Sequence, residues 1–141
     1  MIILGIDPGI ARMGWGVVEE IKQKARAMAY GCFETPAAMG HADRLAAVHK
    51  ELARLIKLHK PERVAVEKLF FSKNVKTALQ VGEARGVIML TCAELNVPVF
   101  EISPKEVKQA LTGYGGADKP QMQKMIQLIL GLKEIPKPDD A

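Results

Sequence analysis

Two short apolar runs in this chain each end on a carboxylate. Residues 2–6 read IILGI and close on Asp7, and residues 63–66 read RVAV and close on Glu67. If those runs are neighbouring strands, the two carboxylates meet. Anions about 4 Å apart repel by about 4 kcal/mol at an effective dielectric near 20, so such a pair stays ionised only beside a compensating cation. Hard oxygen donors suit Mg²⁺, with Mn²⁺ as the substitute. A third acidic cluster, Asp139 and Asp140, stands where another helix would start. Three carboxylates converging from two strands and a helix N-terminus form a metal site for phosphoryl chemistry. A plainer reading stays open for each residue: Asp7 can open a turn with Pro8 and Gly9, and Glu67 can pair with a nearby lysine.

Cations and aromatics accompany these acids. Lys105, Lys108, Lys119 and Lys124 stand against only Glu106 and Asp118, a local excess of positive charge able to neutralise phosphates. Just past Glu67, Phe70 and Phe71 lie among Lys68, Lys73 and Lys76, where an aromatic either folds back to the core or stacks on exposed bases. Its place directly after a metal-ligand candidate favours base contact for one of the pair. Other chemistries find no footing. Nothing resembles a Walker lysine loop or a serine nucleophile elbow, and neither Cys32 nor Cys92 sits beside a candidate base. His41, His49 and His59 share one helix without zinc spacing and read as solvated.

The elements that must carry these groups follow from periodicity. Residues 1–7 read as a buried strand, and 15–21 and 25–34 as two more joined by a polar hairpin turn, so the opening is an antiparallel meander. Leu45, Val48, Leu52, Leu55 and Ile56 recur at helical steps over 42–60, and Pro61 ends that helix before the strand at 63–67. Residues 74–95 form a second long helix whose later half, GVIML, is apolar on every side and must be covered on more than one face. Gly82, Gly86 and Val87 mark its close-packing surface, against either its own sheet or a second subunit. A strand over 97–102, a short helix after Pro104 ended by Gly113, and a last helix capped by Asp118 and running to 132 complete the chain. The expectation is an α/β fold: a five-stranded mixed sheet, its first three strands antiparallel, flanked by helices.

Composition agrees. The 141 residues carry 20 Lys plus Arg against 16 Asp plus Glu, a net charge of +4, and are 48% hydrophobic and 26% charged. These values exclude disordered, collagenous and coiled-coil classes and suit one domain with a real core. The mild positive charge permits nucleic-acid binding without requiring it. Two separated cysteines in apolar stretches point to buried thiols in a reducing compartment. The short apolar runs offer neither a membrane span nor a signal peptide, so a cytoplasmic protein is expected.

Taken together and in order, LGIDPG with Gly14 and Gly16, VEKLFFSKN, ALQVGEARGV, VKQALTGYG with Asp118 and Lys119, and the closing PKPDDA resemble the signatures of the RuvC Holliday junction endonucleases of bacteria. The resemblance spans essentially the whole chain. It implies a ribonuclease H-like fold, a homodimer formed through the ALQVGEARGV helix, Mg²⁺-dependent resolution of four-way DNA junctions by two symmetric nicks, and the branch-migration proteins RuvA and RuvB as partners. It matches Asp7, Glu67 and Asp140 to metal ligands, Phe70 to the aromatic that probes unpaired bases, and Lys108 and Lys119 to basic residues near the scissile phosphate; Lys76 joins them as a lysine flanking the aromatic loop. The family's final motif carries a further Asp beyond the position where residue 141 ends the chain, which implies one domain, 1–141, without its C-terminal helix. Two alternatives accompany this reading: a junction-binding module that does not cut, and an actin-like ATPase fragment suggested by IDPG with Gly14 and Gly16.

Overall fold

The computed structural model describes residues 1–68 and 74–136. Three antiparallel strands open the fold: β1 (Ile2–Asp7), β2 (Arg12–Ile21) and β3 (Lys24–Glu34). Helix α1 (His41–His59) leads to β4 (Arg63–Glu67), α2 (Val75–Glu94) leads to β5 (Val99–Ile102), and α3 (Pro104–Thr112) and α4 (Lys119–Leu130) follow. The sheet order is β3-β2-β1-β4-β5, with β4 parallel to β1 and β5 parallel to β4. The expected five-stranded mixed sheet with an antiparallel opening is present.

Alternation along the strands assigns the two faces. Leu4 and Ile6 of β1, Met13 and Val17 of β2, and Val64 and Val66 of β4 meet Val48, Leu52, Leu55 and Ile56 of α1 and Ile88 and Cys92 of α2 in one buried cluster. Each large side chain withdrawn there contributes about 1.5–3 kcal/mol. The alternate residues, including Gly5, Gly16, Ala65 and the two carboxylates, point to the opposite face, where α3 and α4 lie.

Local sequence closes each element. Lys22 and Gln23, both left-handed (φ 52° and 64°), form the tight turn between β2 and β3. Asn74 caps α2 by accepting the Thr77 N–H at 3.3 Å. Ser103 with Glu106, and Asp118 with Gln121, form reciprocal capping boxes at the starts of α3 and α4, and left-handed Gly113 and Gly131 end those helices.

Two expectations need correction. Strand β2 begins at Arg12, three residues earlier than the alternation suggested, because Gly14 and Gly16 carry no side chain to alternate. Helix α4 stops at Leu130, two residues early, at the Gly131 cap. The three histidines stay at least partly exposed, and each also contacts another element. His59 lies against Trp15 with ring centroids 6.1 Å apart and the planes tilted by 38°. His49 Nδ1 lies 2.8 Å from Thr91 Oγ1, and because that hydroxyl donates to the Val87 carbonyl at 2.7 Å, the Nδ1–H is the donor to Thr91. His41, more exposed, pairs with Glu83 across the α1–α2 interface.

The turn directly after Asp7 is tightly built. A Cβ at Gly9 would lie 2.0 Å from the Arg12 carbonyl oxygen, and buried Thr35 fastens the same loop by donating its hydroxyl to the Ile10 carbonyl at 2.7 Å and its N–H to the Ala11 carbonyl at 3.0 Å. Gly9→Ala must displace backbone, so a loss of about 2–3 kcal/mol is expected. Thermal unfolding checks this. An unchanged melting temperature would show that the loop yields freely.

Candidate metal centre and nucleic-acid interface

Register brings the two carboxylates together. Ile6 of β1 pairs with Val66 of β4 in the parallel ladder, so Asp7 and Glu67 are the next residues of adjacent strands and share a face. Gly14 stands opposite Asp7 on β2, and Ile102 opposite Glu67 on β5. Neither neighbour competes for the acids, and Asp7 and Glu67 hydrogen-bond to each other. A third group enters from α3, whose first turn the Ser103–Glu106 box orients: the Lys108 ammonium acts electrostatically on Glu67.

Partial burial, then the charge and hydrogen bond of Asp7, push the Glu67 carboxyl up from 4.5 to about 7, against the downward pull of Lys108. Two carboxylates in contact therefore cost free energy when both are ionised, which is the donor set a hard cation would relieve. The residues present fit a divalent metal. Among the described residues no cluster of three or more His, Cys, Asp or Glu side chains is found. Asp140, the third expected ligand, and its neighbour Asp139 lie outside the described residues, as do Phe70 and Phe71.

The raised Glu67 value has a checkable sign. A folded-state value of about 7 against 4.5 means that this group's contribution to stability is complete below about pH 4.5 and lost as pH rises through 7. Because Glu67 is only half-buried, solvent screens much of the effect, leaving about 1–2 kcal/mol. Without added metal, Glu67→Gln should thus melt about 3–8 °C higher than wild type at pH 8, with the gap closing at pH 4. Equal melting temperatures at both values would contradict it.

The pair opens onto a cleft of about 520 Å³ between the sheet and helices α3 and α4. Its floor is made of small residues: Gly5, Gly14, Gly16, Ala27, Ala29 and Ala65. Their every-second-residue spacing in β2 and β3 was a signal available in the sequence and not used there. The lysines divide by place. Lys108 approaches the acids, Lys119 occupies the first turn of α4, and Lys76 is exposed in the first turn of α2. The anions near them are engaged in capping: Glu106 accepts the Ser103 N–H at 2.7 Å and Asp118 the Gln121 N–H at 2.9 Å.

Helix α2 also separates its expected interface residues. Val87 turns inward against the core, whereas Gly86 is exposed and a Cβ there would meet nothing within 4 Å. Gly82, one turn earlier, is half-buried. On the open side stand Val75, Leu79 and Leu90, 79%, 63% and 58% exposed. Cys92 is buried, which pushes its thiol up to about 11, and Cys32 is half-buried; neither is in a disulfide.

A mixed sheet of this order, with paired carboxylates at the ends of its adjacent parallel strands, defines the ribonuclease H-like class of fold. Residues 3–141 match the family model described as crossover junction endodeoxyribonuclease RuvC. The chain belongs to this family of metal-dependent nucleases. It is 55% identical over 138 residues to the crossover junction endodeoxyribonuclease RuvC of Roseiflexus sp. (strain RS-1), covering 98% of this chain and 82% of that protein. It is 51% identical to the protein of the same description from Caldicellulosiruptor saccharolyticus, covering 100% and 86%. Thermus thermophilus RuvC superposes with a TM-score of 0.89 at 37% identity over 99% of this chain and 86% of that one. The T. thermophilus RuvC structure in complex with a Holliday junction substrate gives 0.92 at 38%, over 98% and 84%.

Proposed function

We propose that this protein resolves four-way DNA junctions by paired symmetric nicks as a homodimer, with Mg²⁺ held by Asp7, Glu67 and Asp140. The observation that carries the reading is the hydrogen-bonded Asp7–Glu67 pair, partly buried and faced by Lys108 at the mouth of a cleft. Its support is membership of a family whose relative is seen with a Holliday junction substrate. The alternatives of a non-cutting module and an actin-like ATPase fragment are not favoured, since the relatives cited are described as endodeoxyribonucleases.

The chain's own residues divide the work. Asp7 and Glu67 bring convergent anionic oxygens from rigid strands, so the site is set by the sheet rather than by a loop. Lys108 offsets their charge and stands where it can also meet a phosphate oxygen. Lys119 and Lys76, on two other helices, extend the phosphate-contacting surface, which positions the DNA without reading its sequence. Phe70, in the segment of sequence between Glu67 and α2, is assigned the unstacked base at the branch point. When bound, Mg²⁺ held by Asp7, Glu67 and Asp140 would supply charge neutralisation at the phosphate; addition of water to phosphorus with loss of the 3′ oxygen would leave 5′-phosphate and 3′-hydroxyl ends.

The open side of α2 supports the dimer. A glycine inside a helix costs about 0.5–1 kcal/mol relative to alanine, and a Cβ at Gly86 would meet nothing within 4 Å, so the described chain gives no packing reason for it. Close approach of a second copy along Leu79, Gly86 and Leu90 would restore that loss. Two copies supply two cutting sites, as paired nicks require. We place the protein in the bacterial cytoplasm with RuvA and RuvB as partners; no helix among the described residues is long and apolar enough to cross a membrane. The test is a labelled four-way junction beside a linear duplex of the same sequence, with Mg²⁺. Ligatable nicks at symmetric positions in the junction alone are expected. Equal cutting of the duplex, or no cutting, would reject the reading.

A further inference from the structure

The loop between α3 and α4 presents an aromatic ring that the metal site does not use. Tyr114 is 66% exposed, yet its backbone is fastened. Its N–H donates to Thr112 Oγ1 at 3.1 Å, and its carbonyl accepts from the Ala117 N–H at 3.3 Å. The Thr112 hydroxyl also lies 2.7 Å from the Lys108 carbonyl, so the loop is tied to the helical turn that carries Lys108. Buried Ala117 anchors the far side.

The two glycines after the tyrosine explain how the ring is held. A Cβ at Gly116 would lie 2.7 Å from both Cζ and Oη of Tyr114, so the hydroxyl end of the ring lies against bare backbone there. A Cβ at Gly115 would lie 2.9 Å from Cγ of Lys105, so the lysine stem covers the neighbouring residue and brings its ammonium beside the loop. An isolated surface tyrosine needs no explanation. One held on a fixed backbone, beside a lysine and with the nearby acids engaged in helix caps, has the composition of a nucleic-acid contact: a flat apolar face with cations around it.

We infer that Tyr114 is a second aromatic contact to DNA, packing its open face on a nucleoside of the strand that flanks the cut while Lys105 takes a phosphate of the same strand. The inference rests on the nuclease reading and adds a contact outside the metal site. Its test is binding of a fluorescent four-way junction in chelator, so that nothing is cut, across a salt series. Tyr114→Ala should weaken binding about tenfold with the slope of log K against log salt unchanged, while Tyr114→Phe stays within twofold of wild type. Lys105→Ala should instead reduce the slope by about one. Melting temperatures of both tyrosine variants should match wild type, because the loop is held by backbone and by Thr112. Wild-type affinity in Tyr114→Ala would overturn the inference alone, as would a loss accompanied by a lowered melting temperature and a changed salt slope. A wild-type chain that binds no four-way junction would overturn the nuclease reading and this inference with it.

Discussion

Asp7→Asn and Glu67→Gln should each abolish junction cutting while leaving junction binding intact or tighter. Each exchange removes one ligand charge from a pair that touches, and almost none of the lysine surface that meets phosphates. Metal stabilisation of a phosphoryl transition state is worth several kcal/mol. Losing it should slow cutting by about three orders of magnitude. Binding has no such dependence, and removing an anion near the DNA path lessens repulsion. Both quantities are read from one labelled junction, by gel shift and by product formation. Cutting at the wild-type rate in both variants would remove the two residues from the chemistry.

The second large effect concerns the pairing of subunits. Gly86→Arg introduces a long cation where the chain has nothing within 4 Å, so the monomer fold should be untouched and helix propensity should rise. On a surface closed by a second copy, the same guanidinium is buried without a partner, at a cost of several kcal/mol. The dimer dissociation constant should rise about a hundredfold or more, giving monomers at micromolar concentration. Sedimentation velocity reads this directly, and far-UV circular dichroism with a retained melting curve separates it from unfolding. A variant still dimeric would move the interface away from Gly86, Leu79 and Leu90.

Much of this site was legible before any coordinates. Apolar runs ending on Asp7 and Glu67 announced strands that deliver carboxylates, and parallel pairing of β1 with β4 places them side by side. The helix periodicity of α1 gave its buried face, Val48, Leu52, Leu55 and Ile56, because a single apolar stripe has one solution. Helix α2 was harder. Its apolar residues surround the axis, so sequence could not tell Val87, which turns to the core, from Gly86, which does not. The contacts of His49 and His59 were not legible because their partners, Thr91 and Trp15, come from other elements, and periodicity within one helix carries no information about those. Tyr114 was passed over for a related reason: a lone aromatic in a glycine loop has no period, and its significance comes from the Thr112 and Gly116 contacts that fix it.

Metal binding itself tests the central claim, that Asp7 and Glu67 form one cation site. Mn²⁺ can be titrated into the wild-type chain and into Asp7→Asn at neutral pH, with free ion followed by electron paramagnetic resonance and no DNA present. Saturable binding to the wild type that weakens at least tenfold in the variant is the predicted result. Identical binding curves for the two proteins would contradict it.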